Sequence, residues 1–536
     1  MNNQDPQFSL RTSISNSIKS LILCGIVVVL FSCNKNQKES QNFASETKPN
    51  IIYILADDLG YAELGVYGQD KIETPNIDAL AKSGMIFTQH YTGTPVCAPA
   101  RYNFLTGKHS GHSYVRGNDE WAERGEVWNY KAAVKDSTLE GQRPIPAKTI
   151  TIANKLKESG YATAMVGKWG LGAPHTASIP NNFGFNYFFG FNCQRQAHTY
   201  YPVDLYENGI RYPLANDTIA PGKKLDEGAD PYDEASYAHY NLNEYASEVM
   251  FEKITEFVDD NKDKPFFMYW ADPIPHVALQ APKRWVDYYV KKFGDEEPYL
   301  GKKGYFPARY PRATYAAMVS YLDENVGKLV AQLKKEGIYE NTVIMFTSDN
   351  GPTYNGGSDS PWFDSAKPFS SEYGSGKGFL NEGGIRVPMI ASWPKNIKPE
   401  SKTNLISAHY DVMATFADIA GFDVPKNTDG LSFLPTLLNL NDEQKIHDYL
   451  YWEYPEYNGQ VAVRMGKWKI LWKNIKKGNK EIELYDLETD ITEKNNIAES
   501  HPEVIEKFFE IIKKEHSTPE VDRFKIKELE EVYNNL

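Results

Sequence analysis

Hydrophobic and polar positions fall into a repeated unit from Pro49 onward: a short apolar run, then a stretch with helical spacing that ends in glycine. Ile51 to Ala56 is unbroken apolar sequence, as expected of a strand buried on both faces. Thr74 and Pro75 open a helix that stops at Gly84, and Met85 to Thr88 follows as a strand. The unit returns as a helix over Thr149–Gly160 and a strand over Tyr161–Val166. Ala316, Val319, Leu322, Val326, Leu329, Val330 and Leu333 mark the apolar face of a long helix ending at Gly337. Thr342–Ser348, Phe266–Ala271 and Met389–Trp393 complete the strand set, and Asp411 caps a helix that ends at Gly421. Strands alternating with helices predict an α/β domain around a mostly parallel sheet, with functional residues beyond the carboxyl ends of its strands.

Two aromatic-rich excursions, residues 110–146 and 193–240, lack periodicity and are candidate binding surfaces. After residue 425 the pattern changes. VAVRMGKWKILW and EIELYDLETD predict antiparallel strands, and a helix is expected over Pro502–His516. The expected organisation is therefore an α/β domain over 49–425 and a smaller antiparallel α+β subdomain over 426–536.

The chain has 536 residues, 58 Lys and Arg against 71 Asp and Glu, and a formal charge of −13. With 41% hydrophobic and 24% charged residues it is neither disordered nor a multi-span membrane protein. The acidic balance argues against nucleic-acid partners. At the N-terminus, Arg11 and Lys19 precede the apolar run Leu21–Phe31, which is too short to span a bilayer. Leu30-Phe31-Ser32-Cys33 resembles a bacterial lipobox. That resemblance implies a signal peptide over 1–32, lipidation of Cys33, and a polar tether over 33–48 in the bacterial cell envelope, with a plain signal peptide as the alternative. Four cysteines exclude a disulfide scaffold. Cys24 leaves with the signal, and Cys193 reads as a packed thiol.

Asp57 and Asp58 follow the first strand, and Asp349 and Asn350 follow the Thr342–Ser348 strand. Three carboxylates and an amide oxygen at two strand ends are hard ligands suited to Ca²⁺ or Mg²⁺. Either pair alone could cap a turn; the two together point to a cation. Cys97 opens a helix, with Arg101 one turn on. A helix N-terminus beside an arginine predicts an activated cysteine, against the alternative of a buried structural thiol.

The stretch Cys97-x-Pro99-x-Arg101 with Leu105-Thr106-Gly107 resembles the signature of the type I sulfatases, in the alkaline phosphatase superfamily. The likeness continues, in family order, through ADDLG (56–60), GKWGLG (167–172), PIPHVALQAP (273–282), SDNGP (348–352) and GKGFLNEGGIRVP (376–388). It implies an alkaline-phosphatase-like fold and oxidation of Cys97 to formylglycine by a maturation enzyme. One hydroxyl of the hydrated aldehyde then attacks sulfur, and the second expels sulfate afterwards. It implies Asp57, Asp58, Asp349, Asn350 and the modified Cys97 as ligands, for which Ca²⁺ is favoured. Arg101 orients the formylglycine, Lys168 and Lys377 clamp sulfate, and His276 protonates the leaving oxygen.

One departure is visible. Many members carry histidine where this chain has Gly170, so either another histidine deprotonates the nucleophile, His109 before His112 or His175, or the step proceeds without one. GHSYVRGN and NCQRQAHTYYP offer Arg116, Arg195 and His198 for a sulfated sugar. The expected function is hydrolysis of a sulfated carbohydrate. A phosphoester or phosphonate hydrolase of the same superfamily and a silent glycan-binding protein are the rivals.

Overall fold

The computed structural model describes Met1 and residues 48–535 apart from Lys303. Cys33, and the expected signal and tether except their end residues Met1 and Lys48, lie outside the described residues. No helix among the described residues is long and apolar enough to cross a membrane.

The larger sheet has eleven strands: β1 (Asn50–Ala56), β2 (Met85–Tyr91), β3 (Ala162–Lys168), β4 (Tyr187–Phe191), β5 (Asp204–Glu207), β6 (Ile210–Pro213), β7 (Phe266–Ala271), β8 (Thr342–Ser348), β9 (Arg386–Ser392), β10 (Ser401–Thr403) and β11 (Ser407–Ala408). Their order is β10-β2-β9-β8-β1-β7-β3-β4-β5-β6, with β11 beside β2. From β8 to β4 all neighbours are parallel. β9 runs antiparallel to both β8 and β2, and β5 and β6 close the far edge antiparallel.

The continuous apolar run of β1 divides by pleat. Ile52, Ile54 and Ala56 join a core that includes Ala316, Val319 and Leu322 of the long helix Pro311–Lys335. Ile51, Tyr53 and Leu55 face the opposite core, where Tyr53 stacks on Phe104 with ring centroids 4.1 Å apart. Burial on both faces is why β1 could not alternate. The helix predicted from Thr149 begins at Ile152, where Thr151 and Asn154 form a capping box. The helix at Asp411 runs to Ala420 and ends on Gly421, whose φ is +73°.

A second sheet of four antiparallel strands comprises β12 (Leu450–Tyr454), β13 (Gln460–Met465), β14 (Trp468–Lys473) and β15 (Ile482–Asp486). One face packs on the large domain, where Trp452 Nε1 donates to Thr92 O at 2.8 Å. The helix Pro502–Glu515 covers the other through Phe508 and Ile512.

Candidate active site

β1 and β8 are in register from Asn50↔Thr342 to Ala56↔Ser348, so the two acidic pairs leave the sheet side by side. All four residues are fully buried. The Asp58 backbone, at φ +68°, donates its N–H to Asp349 Oδ1 at 3.1 Å. Asn350 Nδ2 donates to Asp58 Oδ1 at 2.9 Å, which leaves Asn350 Oδ1 buried without a partner.

Cys97 is the first residue of the helix Cys97–Thr106, which is buried throughout and stops at Gly107 in the left-handed region. Its Sγ lies 3.3 Å from Asp57 Oδ1 and 3.8 Å from Asp58 Oδ1. The expected activated thiol is not what the structure holds. Burial pushes the Cys97 thiol well up, and the charge of Asp57 adds to this against the pull of Lys168 and Lys377. Arg101 reaches the carboxylates rather than the sulfur. Its Nε and Nη2 donate to Asp349 Oδ2 at 3.2 and 2.9 Å, Nη2 sits 3.2 Å from Asp57 Oδ2, and Nη1 donates to Lys168 O at 2.7 Å.

Lys168, the last residue of β3, binds Asp57, and Lys377 binds Asp58 at 2.6 Å. Three cations thus face three carboxylates, so the local field is balanced despite the acidic chain. Burial would raise Asp57, but Lys168, His276, Arg101 and Lys377 together hold it well below the usual carboxylate range. His276 donates from Nδ1 to Val277 O, and its Nε2 lies 3.7 Å from Asp58 Oδ2. Burial, and then Lys377 and Lys168, push its pKa well down. Asp57, Asp58, Cys97 and His276 each offer a ligand atom within 4.8 Å of one another. His276 was read as a proton donor, and its place in this cluster was not anticipated.

The predicted residues from the excursions divide. His109 is not beside Cys97. Its Nε2 lies 3.0 Å from Glu515 Oε2 of the C-terminal helix and its Nδ1 accepts from Gly111 N of its own loop, so both nitrogens are engaged. The role of base is therefore withdrawn for His109. His112 pairs with Asp429 at 2.9 Å, and His175 is exposed against Ser137. Arg116 is likewise corrected from substrate contact to structural residue. It is 1% exposed and binds Glu453, Ser113 O, Gly111 O and Ser517. Arg195 lies over the Trp128 ring at 4.8 Å and donates to Trp128 O. His198 stacks on His276, with centroids 5.2 Å apart. At Gly170 an added Cβ would meet Gln194 Cγ at 3.0 Å, so Gln194 occupies that side of the site. Gln194 Nε2 donates to Asn118 Oδ1, which also accepts from Ala98 N at the nucleophile helix. Cys97 and Cys193 are both free thiols.

Above the cluster opens a cleft of about 390 Å³, lined by His198, His276 and Lys377 together with Trp128, Tyr305 and Glu120. Glu456, Tyr457 and Arg523 close it from the C-terminal region. Sequence reasoning missed these three, and no motif marks them. Thr353, Tyr354 and Asn355, which also line it, directly follow SDNGP and could have been read by adjacency.

The sulfatase family model matches residues 49–422, and a model described as N-sulphoglucosamine sulphohydrolase, C-terminal, matches 372–517. An N-acetylgalactosamine-6-O-sulfatase of Bacteroides thetaiotaomicron is 28% identical, covering 93% of this chain and 99% of its own. Arylsulfatase A of Homo sapiens is 30% identical over 78% of this chain and 74% of its own. The crystal structure of Ps i-CgsB in complex with k-i-k-neocarrahexaose superposes with a TM-score of 0.69 at 28% identity, covering 88% of this chain and 94% of its own.

Proposed function

The chain belongs to the sulfatase family and is a sulfuric ester hydrolase, and from that premise we propose that it releases sulfate from a sulfated carbohydrate, with formylglycine made from Cys97 as nucleophile and a divalent cation at the paired strand ends. The observation that carries this is the convergence of Cys97, three carboxylates, three cations and His276 on one buried centre, which meets the cleft through His276 and Lys377. The N-acetylgalactosamine-6-O-sulfatase and the neocarrahexaose complex it is similar to support the substrate class.

The donor set fits a hard cation. Asp57, Asp58 and Asp349 are carboxylates, and Asn350 Oδ1 is a buried oxygen without a partner, an arrangement costly to leave unfilled. These residues with the modified Cys97 would hold Ca²⁺, which on binding supplies Lewis-acid stabilisation of negative charge on oxygen. Formylglycine, once hydrated, supplies the hydroxyl nucleophile that a thiol held protonated does not. Arg101 fixes Asp57 and Asp349 by three contacts of 3.2 Å or less and so keeps the ligand oxygens in place. Lys168 and Lys377 neutralise the sulfate oxygens. His276 turns Nε2 toward the site, its ring fixed by the Nδ1–H bond to Val277 O, and passes a proton to the departing sugar oxygen as the imidazolium, which the anionic sulfate would stabilise against the burial that favours the neutral ring. The chain is exported and lipid-anchored at Cys33, and depends on a maturation enzyme for formylglycine.

The test is sulfate released from a panel of sulfated glycans and an aryl sulfate, with Cys97→Ala as control and peptide mass confirming formylglycine. Release lost in the variant is expected. Turnover of phosphate esters in preference to sulfate esters, or glycan binding without release by modified, calcium-loaded protein, would overturn the proposal.

A further inference from the structure

Three of the protein's exposed large aromatic side chains stand on the rim of one cleft. Tyr373 is 73% exposed, Trp128 60% and Tyr457 46%. Apolar rings left in water over a catalytic cleft mark a contact surface. They are also held ready. Tyr354, Tyr373, Phe379 and Tyr457 form a row with successive centroids 5.6, 5.8 and 5.3 Å apart, each pair edge to face. Each step of that row is comparable to one pyranose ring. Trp128 is braced separately, with the Arg195 guanidinium over its ring and bonded to its carbonyl oxygen.

The polar groups between these rings are already paired or hydrogen-bonded. Arg523 donates to Asp119 at 2.6 Å, Glu456 accepts from Tyr454 at 2.9 Å, and Glu120 accepts from Gln142 at 2.7 Å. Fixed hydrogen-bonding groups between flat apolar faces suit the two kinds of surface a sugar presents: equatorial hydroxyls and C–H faces.

Resting on the carbohydrate reading above, we propose that this rim is a set of sugar-binding subsites on either side of the sulfated residue, so that the enzyme acts on sulfated oligosaccharide chains in preference to sulfated monosaccharides. Tyr373 and Tyr457 stack rings on one side and Trp128 stacks one on the other. Three successive steps of 5.6, 5.8 and 5.3 Å offer more ring surface than one pyranose can cover. Rings stacked at a distance from the reacting sulfate contribute uniform binding, so they lower KM more than they raise kcat.

The experiment measures kcat/KM on paired substrates: N-acetylgalactosamine 6-sulfate free and within a hexasaccharide, and neocarrabiose sulfate against neocarrahexaose. The expected result is a preference for the longer member of whichever pair is cleaved, of at least tenfold and carried mainly by KM. Tyr373→Ala and Trp128→Ala each reduce that preference at least fivefold. Tyr373→Phe restores it, and Tyr232→Ala, an exposed tyrosine elsewhere, leaves it intact. Equal kcat/KM for short and long substrates, or a preference untouched by both alanine variants, overturns the subsites while leaving the carbohydrate sulfatase standing. Aryl sulfate turnover with no cleavage of any glycan overturns both.

Discussion

Replacing Arg116 by methionine tests whether the 110–146 excursion serves substrate or structure. Arg116 is 1% exposed and donates to five acceptors: Glu453, Ser113 O at 3.0 Å, Gly111 O at 2.8 Å, and Ser517 O and Oγ at 2.7 and 2.9 Å. Burial raises Glu453, but the Arg116 charge beside it holds it below the usual carboxylate range. In Arg116→Met that carboxylate keeps His516 at 2.8 Å and Tyr451 at 3.1 Å and loses its permanent cation. Breaking a buried pair from one side costs about 3–5 kcal/mol. At about 2.1 cal/mol/K of unfolding entropy per residue, a chain this long loses about 1 °C per kcal/mol, so Tm falls about 3–5 °C. Urea midpoints and calorimetry on Arg116→Met, Glu453→Met and the double variant should give a coupling of about 2–3 kcal/mol. KM for the sulfated substrate stays within about twofold, since less than RT is then lost from binding. An unchanged Tm with a tenfold higher KM would refute this reasoning and return Arg116 to the substrate.

Four further outcomes are expected. His276→Ala lowers kcat on sugar sulfates by about 10²–10⁴, whereas 4-nitrophenyl sulfate, whose leaving group needs no proton, loses less than about tenfold; equal losses on both would remove His276 as the acid. Chelation lowers both activity and Tm, and Ca²⁺ at a hundred times its Kd restores about 2.7 kcal/mol. Asn350→Ala, by deleting the unpartnered oxygen, shifts the calcium titration to higher concentration, and an unshifted titration would exclude Asn350 as ligand. Finally, burial lowers His447 but its 2.8 Å pair with Asp411 outweighs this and raises its pKa above the ordinary histidine value. Its contribution is full below the unfolded value and fades as pH rises through the folded one. His447→Gln therefore costs about 1–2 kcal/mol at pH 5.5 and little at pH 9, and a pH-independent loss would contradict the ion pair.

Strands buried on both faces were legible because composition alone marks them. Thr342–Ser348 and Phe266–Ala271 have the bounds their apolar runs indicated. The residues beyond their ends were legible for the same reason, since a strand end fixes where Asp349 points. The hairpin of β5 and β6 escaped, although Asn208 and Gly209, at φ +48° and +83°, are a turn signal for two-residue hairpins. His109 and Arg116 were misread for a physical reason. A buried basic side chain in an excursion has the same sequence appearance whether it serves the site or pairs within the fold, as Arg116 does with Glu453, 337 positions later, and His109 with Glu515. Only the fold reveals which.

That long-range pairing also explains why the C-terminal sheet matters to chemistry that none of its residues performs. The loop from His109 to Asn118 leaves the nucleophile helix directly. His109 anchors it to Glu515, Arg116 to Glu453, and Ser110 Oγ accepts from Glu453 N at 2.7 Å. At its end Asn118 accepts from Ala98 N, the amide next to the nucleophile, and from Gln194 beside Gly170, while Glu456 accepts from Asn118 N at 3.3 Å. The carboxylates of the small subdomain therefore pin a loop whose far end, at Asn118, holds the first turn of the nucleophile helix. A helix that begins at its reactive residue has no preceding turn to hold that residue in place. Here the restraint comes from the side, through Asn118, and it is as rigid as the ion pairs that pin the loop to the second sheet.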